Sequence, residues 1–256
     1  MNNKEVALGS DFGKRTVDFL NLFRFNPKIY FKIETKNALP TAAGLASSAS
    51  GLAALVLALN DFYNWNLSNQ QLSILARLGS GSASRSIYPN FVEWHVGTEA
   101  DGMDSYAEPV KIDSWVSLRL GLIIVSDEDK EVSSRDGMSL AVKTSPYYKA
   151  WLDKTNQDIT LAKKAMVDRN IQMLGETAES NALAMHSTAI TSWPPLLYWS
   201  PKSVSNMNKV WKLRKQHNQI YFTMDAGSNL VLIFEEKDTQ IVKGNFPGII
   251  IVKPFI

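Results

Sequence analysis

Apolar residues in this chain come in short bursts, some at helical spacing and some nearly continuous. None forms a stretch approaching the roughly 18–20 residues that cross a bilayer. That mixture of periods constrains the fold most. Residues 11–25 carry Phe12, Thr16, Phe19, Leu20 and Phe23 at helical spacing. Ala46–Asn60 is dense in Ala and Leu and predicts a buried helix. Asn66-Leu67-Ser68 opens another, with Ser68 as its cap, running to about Leu78. Further helices are expected over Ser133–Thr144, from Ser145-Pro146 with Ser as cap and Pro at the first position, twice within 156–190, and over Ser203–His217. Strand patterns occur at Tyr30–Lys36, where Phe31, Ile33 and Thr35 alternate with Lys32 and Glu34, and at Phe91–His95 and Leu118–Ser126. Three more follow at Gln219–Met224, Asn229–Glu235 and Gly248–Val252. Helices mixed with antiparallel strands near the end predict an α+β architecture in two intimately packed halves.

Composition narrows the function classes. With 45% hydrophobic and 20% charged residues, the chain has the make-up of a folded globular protein. A net charge of +2 is too near neutrality for a nucleic-acid sheath. The sequence has no cysteine, which excludes a disulfide framework, thiolate metal ligands and a cysteine nucleophile together. Its length of 256 residues is long for one domain and short for two. Met1-Asn2-Asn3-Lys4-Glu5 offers no apolar core of signal-peptide length, so a soluble cytoplasmic protein with no membrane and no nucleic-acid partner is expected.

The most informative stretch, Pro40-Thr41-Ala42-Ala43-Gly44-Leu45-Ala46-Ser47-Ser48-Ala49, lies between a predicted strand and a predicted helix. Glycine at 44 allows close backbone approach, and the free N–H groups of a helix N-terminus suit a polyphosphate. Ser47 and Ser48 could add hydroxyl donors. No lysine follows the glycine, so this is not a P-loop. The alternative is a helix start made of small residues for tight packing, and physical grounds leave the two even. Other candidates point to bland roles. His95, His186 and His217 lack a spacing suited to a shared metal, and capping, packing or surface positions are expected for them. Trp193, Tyr198 and Trp199 read as core packing, Asp101-Gly102 and Asp104 as turn residues with no metal, and Lys130 as either a nucleotide clamp or a solvated group. An Asp-Ala-Gly such as Asp225-Ala226-Gly227 is on its own a turn aspartate.

Taken in order, these stretches resemble a known family. Pro-x3-Gly-Leu-x-Ser-Ser-Ala resembles the phosphate loop of the GHMP small-molecule kinase superfamily, and Leu39–Leu55 resembles its mevalonate diphosphate decarboxylase branch. The run from Arg77 to Ser86, followed by Phe91-Val92-Glu93-Trp94, resembles that branch's substrate loop. Lys130–Met138 resembles its second anion-binding loop, and Thr223–Asn229 the loop of its catalytic aspartate. Weaker matches, Ser180-Asn181 to His186 and Pro194–Tyr198, lie between them in the family's order, so the likeness covers about 28–235.

The resemblance implies a GHMP-kinase-like two-lobed α+β fold with a deep cleft. Residues 1–114 would be an ATP-binding lobe related to ribosomal protein S5 domain 2, and 115–256 a ferredoxin-like lobe with the catalytic aspartate. It implies an ATP- and Mg2+-dependent decarboxylation of mevalonate diphosphate to isopentenyl diphosphate, ADP, phosphate and CO2, in isoprenoid biosynthesis, by a homodimer. Ala43, Gly44, Leu45, Ala46, Ser47 and Ser48 would bind ATP. Ser80, Gly81, Ser82, Arg85, Ser134, Arg135, Met138 and Ala226 would bind substrate. Asp225 and Arg85 would be catalytic, Arg85 holding a carboxylate with a two-pronged geometry that lysine lacks. No dedicated metal cage is expected, magnesium arriving with ATP. A phosphomevalonate decarboxylase or a mevalonate kinase-type relative is the alternative substrate reading.

Three departures stand out. Ser84 occupies a position where the family often has cysteine, and Ser228 one where proline is usual, which predicts a looser catalytic loop. The family also has an Asn-Ile-Ala-Leu-Ile-Lys-Tyr-Trp-Gly-Lys-like strand and loop ahead of the residue numbered Asn3 here. Without it a sheet lacks strands and the substrate lacks contacts. The three explanations are a start site placed too late, a partner chain that supplies the segment, or a decarboxylase-like domain trimmed of activity.

Overall fold

The computed structural model describes residues 7–36, 47–126 and 131–255. These form two compact units, 7–36 with 47–110 and 111–126 with 131–255. Each is built around its own core.

The first unit is mainly helical. Helix α1 (Asp11–Asn21) begins at Ser10, whose hydroxyl accepts from the Gly13 N–H. Helix α2 (Ser47–Phe62) is apolar on most faces, and α3 (Asn69–Gly79) starts with a capping box in which Ser68 and Gln71 satisfy each other's backbone N–H. Phe19, Leu20 and Phe23 of the first helical segment close on Val56 and Leu59 of α2 and on Leu72 and Ala76 of α3. A 3₁₀ helix (Gly81–Ile87) follows α3, and strands β1 (Val92–Trp94) and β2 (Ala107–Pro109) make a two-stranded antiparallel ribbon.

The alternating stretch Tyr30–Lys36 is not a strand. Phe31 packs edge-on against Phe62 and Tyr63, while Tyr30, Ile33 and Thr35 stay exposed. Alternation marks which face can be buried, yet a ladder also needs a neighbouring strand. Among the described residues none pairs with it.

The second unit wraps helices around a four-stranded antiparallel sheet. In chain order it contains β3 (Leu118–Ile123), α4 (Ser134–Thr144), α5 (Tyr148–Val167), α6 (Ile171–Ile190), α7 (Pro201–Arg214), β4 (Tyr221–Thr223), β5 (Leu230–Glu235), α8 (Thr239–Asn245) and β6 (Ile250–Val252). The spatial order is β4-β5-β3-β6. In register, Leu118 faces Glu235 and Ile123 faces Leu230. The nearly continuous apolar run is therefore an interior strand covered on both faces. Arg119 survives inside it because its guanidinium donates to the Val116 and Leu118 carbonyls at 2.6 and 2.8 Å and pairs with Glu236.

Two helix starts show how one rule works in one place and not in another. Ser200-Pro201 opens α7 as cap and first residue, two positions before the predicted start at Ser203. Ser145-Pro146 is not the cap pair of a helix: α5 begins at Tyr148, and the Ser145 hydroxyl lies 2.9 Å from that of Thr191 while accepting only a long 3.4 Å bond from the Tyr147 N–H. A cap works only if the next three amides turn back toward it, and here the end of α6 takes the hydroxyl. Strand β2 and helix α8, seven residues or shorter, carried too few periods to be recognised.

Helices α5 and α6 pack antiparallel, as 156–190 predicts, and α6 lies on β4 with only a glycine between them. A Cβ on Gly175 would sit 2.1 Å from Cγ of the buried Tyr221. Gly175→Ala gains about 1 kcal/mol in helix propensity. It loses more, about 1–3 kcal/mol or beyond, by forcing α6 off β4. A thermal midpoint several degrees below that of the unsubstituted protein is the expected result, and an unchanged or raised midpoint would refute this packing.

Candidate active site

The predicted phosphate loop, with Ala43, Gly44, Leu45 and Ala46, lies outside the described residues, as does Lys130. The backbone of Ser47 and Ser48 opens α2, and their side chains also lie outside the description.

In the first unit the chain leaves α3 through Ser80, whose extended backbone (φ −160°, ψ 132°) breaks the α-helix before the 3₁₀ helix begins. The Ser80 and Ser82 hydroxyls come within 3.1 Å of each other. Positions i and i+3 eclipse in a 3₁₀ helix, so Ser82 and Arg85 share a face. Arg85 is exposed, and no hydrogen bond or ion pair holds its guanidinium among the described residues. Gly81 packs directly under Trp94, where a Cβ would meet the indole ring at 2.4 Å. Ser84 points the other way and is fully buried. It donates to the Gly81 carbonyl at 2.6 Å, while its own carbonyl accepts from Ser73, which in turn accepts from the Ala107 N–H. The Ser84 hydroxyl therefore holds the turn's shape. A thiol donates more weakly.

In the second unit, Ser134 and Arg135 occupy the first turn of α4, and Met138 follows on the same side. Ser133 caps the helix, accepting from the Asp136 N–H at 3.1 Å. Helix N-termini favour anions, and Arg135 adds a fixed positive charge.

The loop between β4 and β5 presents Asp225. Phe222 and Met224 alternate into the core, which leaves Thr223 and Asp225 on the opposite face, with Asp225 exposed. Among the described residues, the side chains of His186, Ser203 and Asn229 hold this loop by its backbone or ends. His186 lies with Nε2 3.1 Å from the Asp225 carbonyl. The Ser203 hydroxyl accepts from the Ser200 N–H and donates to the Ser228 carbonyl at 2.6 Å. Asn229 accepts from the Val125 and Ser126 N–H groups at 2.6 and 3.1 Å and donates back to the Ser126 carbonyl at 3.0 Å. Ser228 is thus held through its carbonyl by α7.

Within this unit the structure brings α4 and the Asp225 loop together through aromatic side chains. Tyr198 presses its hydroxyl onto Gly137 of α4, where a Cβ would come within 2.1 Å, and meets the His186 ring edge-on. Burial, with the Asp136 charge as a second cause, pushes the Tyr198 phenol above its ordinary pKa, so it is protonated at neutral pH. Trp199 also packs on His186, but Trp193 does not join this core: its side chain is 77% exposed beside Pro194. The three pins were legible only as polar residues at positions facing the core. In α6, Ala182, His186 and Ala189 form a buried stripe, and a polar ring in such a stripe must find a partner.

Among the described residues no three His, Asp or Glu side chains gather into a group that could hold a metal ion, and no helix is long and apolar enough to cross a membrane.

Comparison with known proteins places the chain in a family. The diphosphomevalonate decarboxylase-like N-terminal domain matches residues 1–107, and the mevalonate 5-diphosphate decarboxylase C-terminal domain matches 121–249. The diphosphomevalonate decarboxylase of Candida albicans is 37% identical over 212 residues, covering 82% of this chain and 59% of its own length. This chain therefore spans less than two thirds of the curated relatives it matches. A solved complex of MDDEF with MVAPP, AMPPCP and magnesium superposes with a TM-score of 0.88 at 40% identity, covering 95% of this chain and 76% of the other. The crystal structure of mevalonate diphosphate decarboxylase from Staphylococcus aureus gives 0.89 at 38%, covering 100% and 78%.

Proposed function

This chain belongs to the diphosphomevalonate decarboxylase family and has its α+β GHMP-kinase fold, and from that premise we propose that it carries out the ATP-dependent decarboxylation of mevalonate diphosphate. The observation that supports this reading most is the pinned Asp225 loop, which presents a carboxylate from a fixed backbone. Residues 1–114 act as the nucleotide-binding lobe, with ATP taken by 43–48, and 115–256 as the lobe carrying Asp225. The protein works as a homodimer in the cytoplasm.

The substrate carries a carboxylate, a tertiary hydroxyl and a diphosphate. Arg85 takes the carboxylate, helped by the converging hydroxyls of Ser80 and Ser82, with Gly81 between them keeping the turn tight against Trp94. Ser134 and Arg135 hold the diphosphate at the start of α4. Met138 and Ala226 line the site as apolar contacts. Asp225 orients the tertiary hydroxyl and takes its proton as the oxygen–phosphorus bond forms and the bond to ADP breaks. Loss of the new phosphate with its C–O electron pair, and of CO2 with the C–C pair moving into the double bond, leaves isopentenyl diphosphate. Magnesium, arriving with ATP rather than held in a cage of this chain's residues, would supply neutralisation of the phosphate charge.

Purified protein with ATP, magnesium and mevalonate diphosphate is expected to release phosphate and CO2 at equal rates. ADP formation without CO2 would replace this reading with a kinase, and no ADP at all would overturn both. Arg85→Lys keeps the charge but loses the two-pronged geometry. It is expected to lower kcat/KM by about 10- to 100-fold, the worth of one charge-assisted hydrogen bond. Undiminished kcat/KM would remove Arg85 from the carboxylate site.

A further inference from the structure

The buried stripe of α6 carries an imidazole that the reaction described above does not use. His186 is 1% exposed and lies between Trp199, at 5.1 Å between ring centroids, and Tyr198, at 6.1 Å. A carbonyl oxygen only accepts, so at 3.1 Å from the Asp225 carbonyl the His186 Nε2 carries a proton and donates. The bond fixes the plane of the Asp225–Ala226 peptide, and with it the direction in which the Asp225 side chain leaves the backbone. Tyr198 packs on the same imidazole and on Gly137, which stands between Arg135 and Met138 in α4. One buried ring thus touches the support of the diphosphate-binding helix and the backbone of the residue that takes the proton.

We propose that His186 is a positioning residue, whose Nε2–H holds the Asp225–Ala226 peptide and, through Tyr198 on Gly137, keeps the Asp225 loop in register with α4. The proposal rests on the role assigned above to Asp225. Ser203 and Asn229 secure the far end of the loop, so loss of His186 removes the hydrogen bond on the Asp225 carbonyl while those contacts remain. Placement errors of about 1 Å cost rates of about 100-fold without weakening ground-state binding to match.

The test uses the full chain with His186→Phe, which keeps a ring between Trp199 and Tyr198 but has no donor, and His186→Gln, whose amide restores one near Nε2. If the phenyl variant does not fold, His186→Leu takes its place. Two readouts are followed beside the thermal midpoint: the backbone carbonyl 13C resonance of Asp225, and kcat with KM for mevalonate diphosphate under saturating ATP and magnesium. In His186→Phe the Asp225 resonance is expected to move and kcat to fall about 10- to 100-fold, with KM within about twofold of the unsubstituted value. His186→Gln is expected to restore both. An unmoved resonance, a fall in midpoint with kcat unchanged, or failure of the glutamine to rescue would overturn the proposal. If the unsubstituted protein releases no CO2, the resonance still decides. A carbonyl signal that moves and is rescued upholds the His186 link, while the decarboxylase reading alone falls.

Discussion

Asp225→Asn is expected to abolish turnover, by about 10²- to 10⁴-fold in kcat, while mevalonate diphosphate binding stays within a few fold. Asparagine has nearly the same shape and can still accept and donate hydrogen bonds, so it can orient a tertiary hydroxyl. It cannot take the hydroxyl's proton. The substitution is a clean one here because the pins on this loop grip main-chain atoms and the Asn229 side chain: the Asp225 carbonyl, the Ser228 carbonyl, and the amides reached by Asn229. None of these contacts uses the Asp225 carboxylate, so all of them remain available to the loop in the variant. Phosphate and CO2 release measure the loss, and calorimetric titration with mevalonate diphosphate measures the retained binding. Full decarboxylase activity in Asp225→Asn would remove the aspartate from proton transfer. A variant that lost binding as strongly as turnover would make it a substrate anchor instead.

The two halves of this argument were unequally visible in the sequence. Local signals read well. Ser68 with Gln71, the apolar run of β3 and the paired helical pattern of 156–190 all correspond to the observed elements, since each is decided by residues a few positions apart. What failed needed a neighbour from elsewhere: the alternating 30–36 stretch has no ladder partner among the described residues, and the Ser145 hydroxyl meets that of Thr191 and makes only a long bond to the Tyr147 N–H. The same division holds for the site. Ser80, Ser82 and Arg85 are close in sequence, and a 3₁₀ turn is enough to align the last two. The supports of Asp225 come from 39, 25 and about 100 residues away, through His186, Ser203 and the strand before Ser126. Such contacts leave no periodic trace. They register only as polar residues in stretches that otherwise face a core.

The largest effect on stability is expected where β4 is clamped against α6 and α7. Glu179 of α6 is buried with its carboxylate saturated. Trp211 donates to it at 2.7 Å, the Phe222 N–H at 3.3 Å, and Arg214 with both terminal nitrogens. Arg214 also donates through Nε and Nη2 to the Ile220 carbonyl, and its guanidinium lies 4.2 Å from the Tyr221 ring centroid. Three elements, α6, α7 and β4, are therefore held by one ion pair, and β4 leads directly into Asp225. Arg214→Met removes the cation and leaves a carboxylate in a site that water reaches poorly. The expected cost is about 3–5 kcal/mol. For a chain of this size that is a fall of about 6–20 °C in thermal midpoint. Glu179→Met together with Arg214→Met should be less damaging than Arg214→Met alone, because no uncompensated charge remains. Recovery stays incomplete, since the Trp211 and Phe222 N–H groups and the Ile220 carbonyl lose their partners. Unfolding midpoints of the two single variants and the double variant give the coupling directly. If Arg214→Met fell by no more than an exposed substitution would, or if the double variant were worse than the sum of the singles, the clamp would not be what holds β4 against α6.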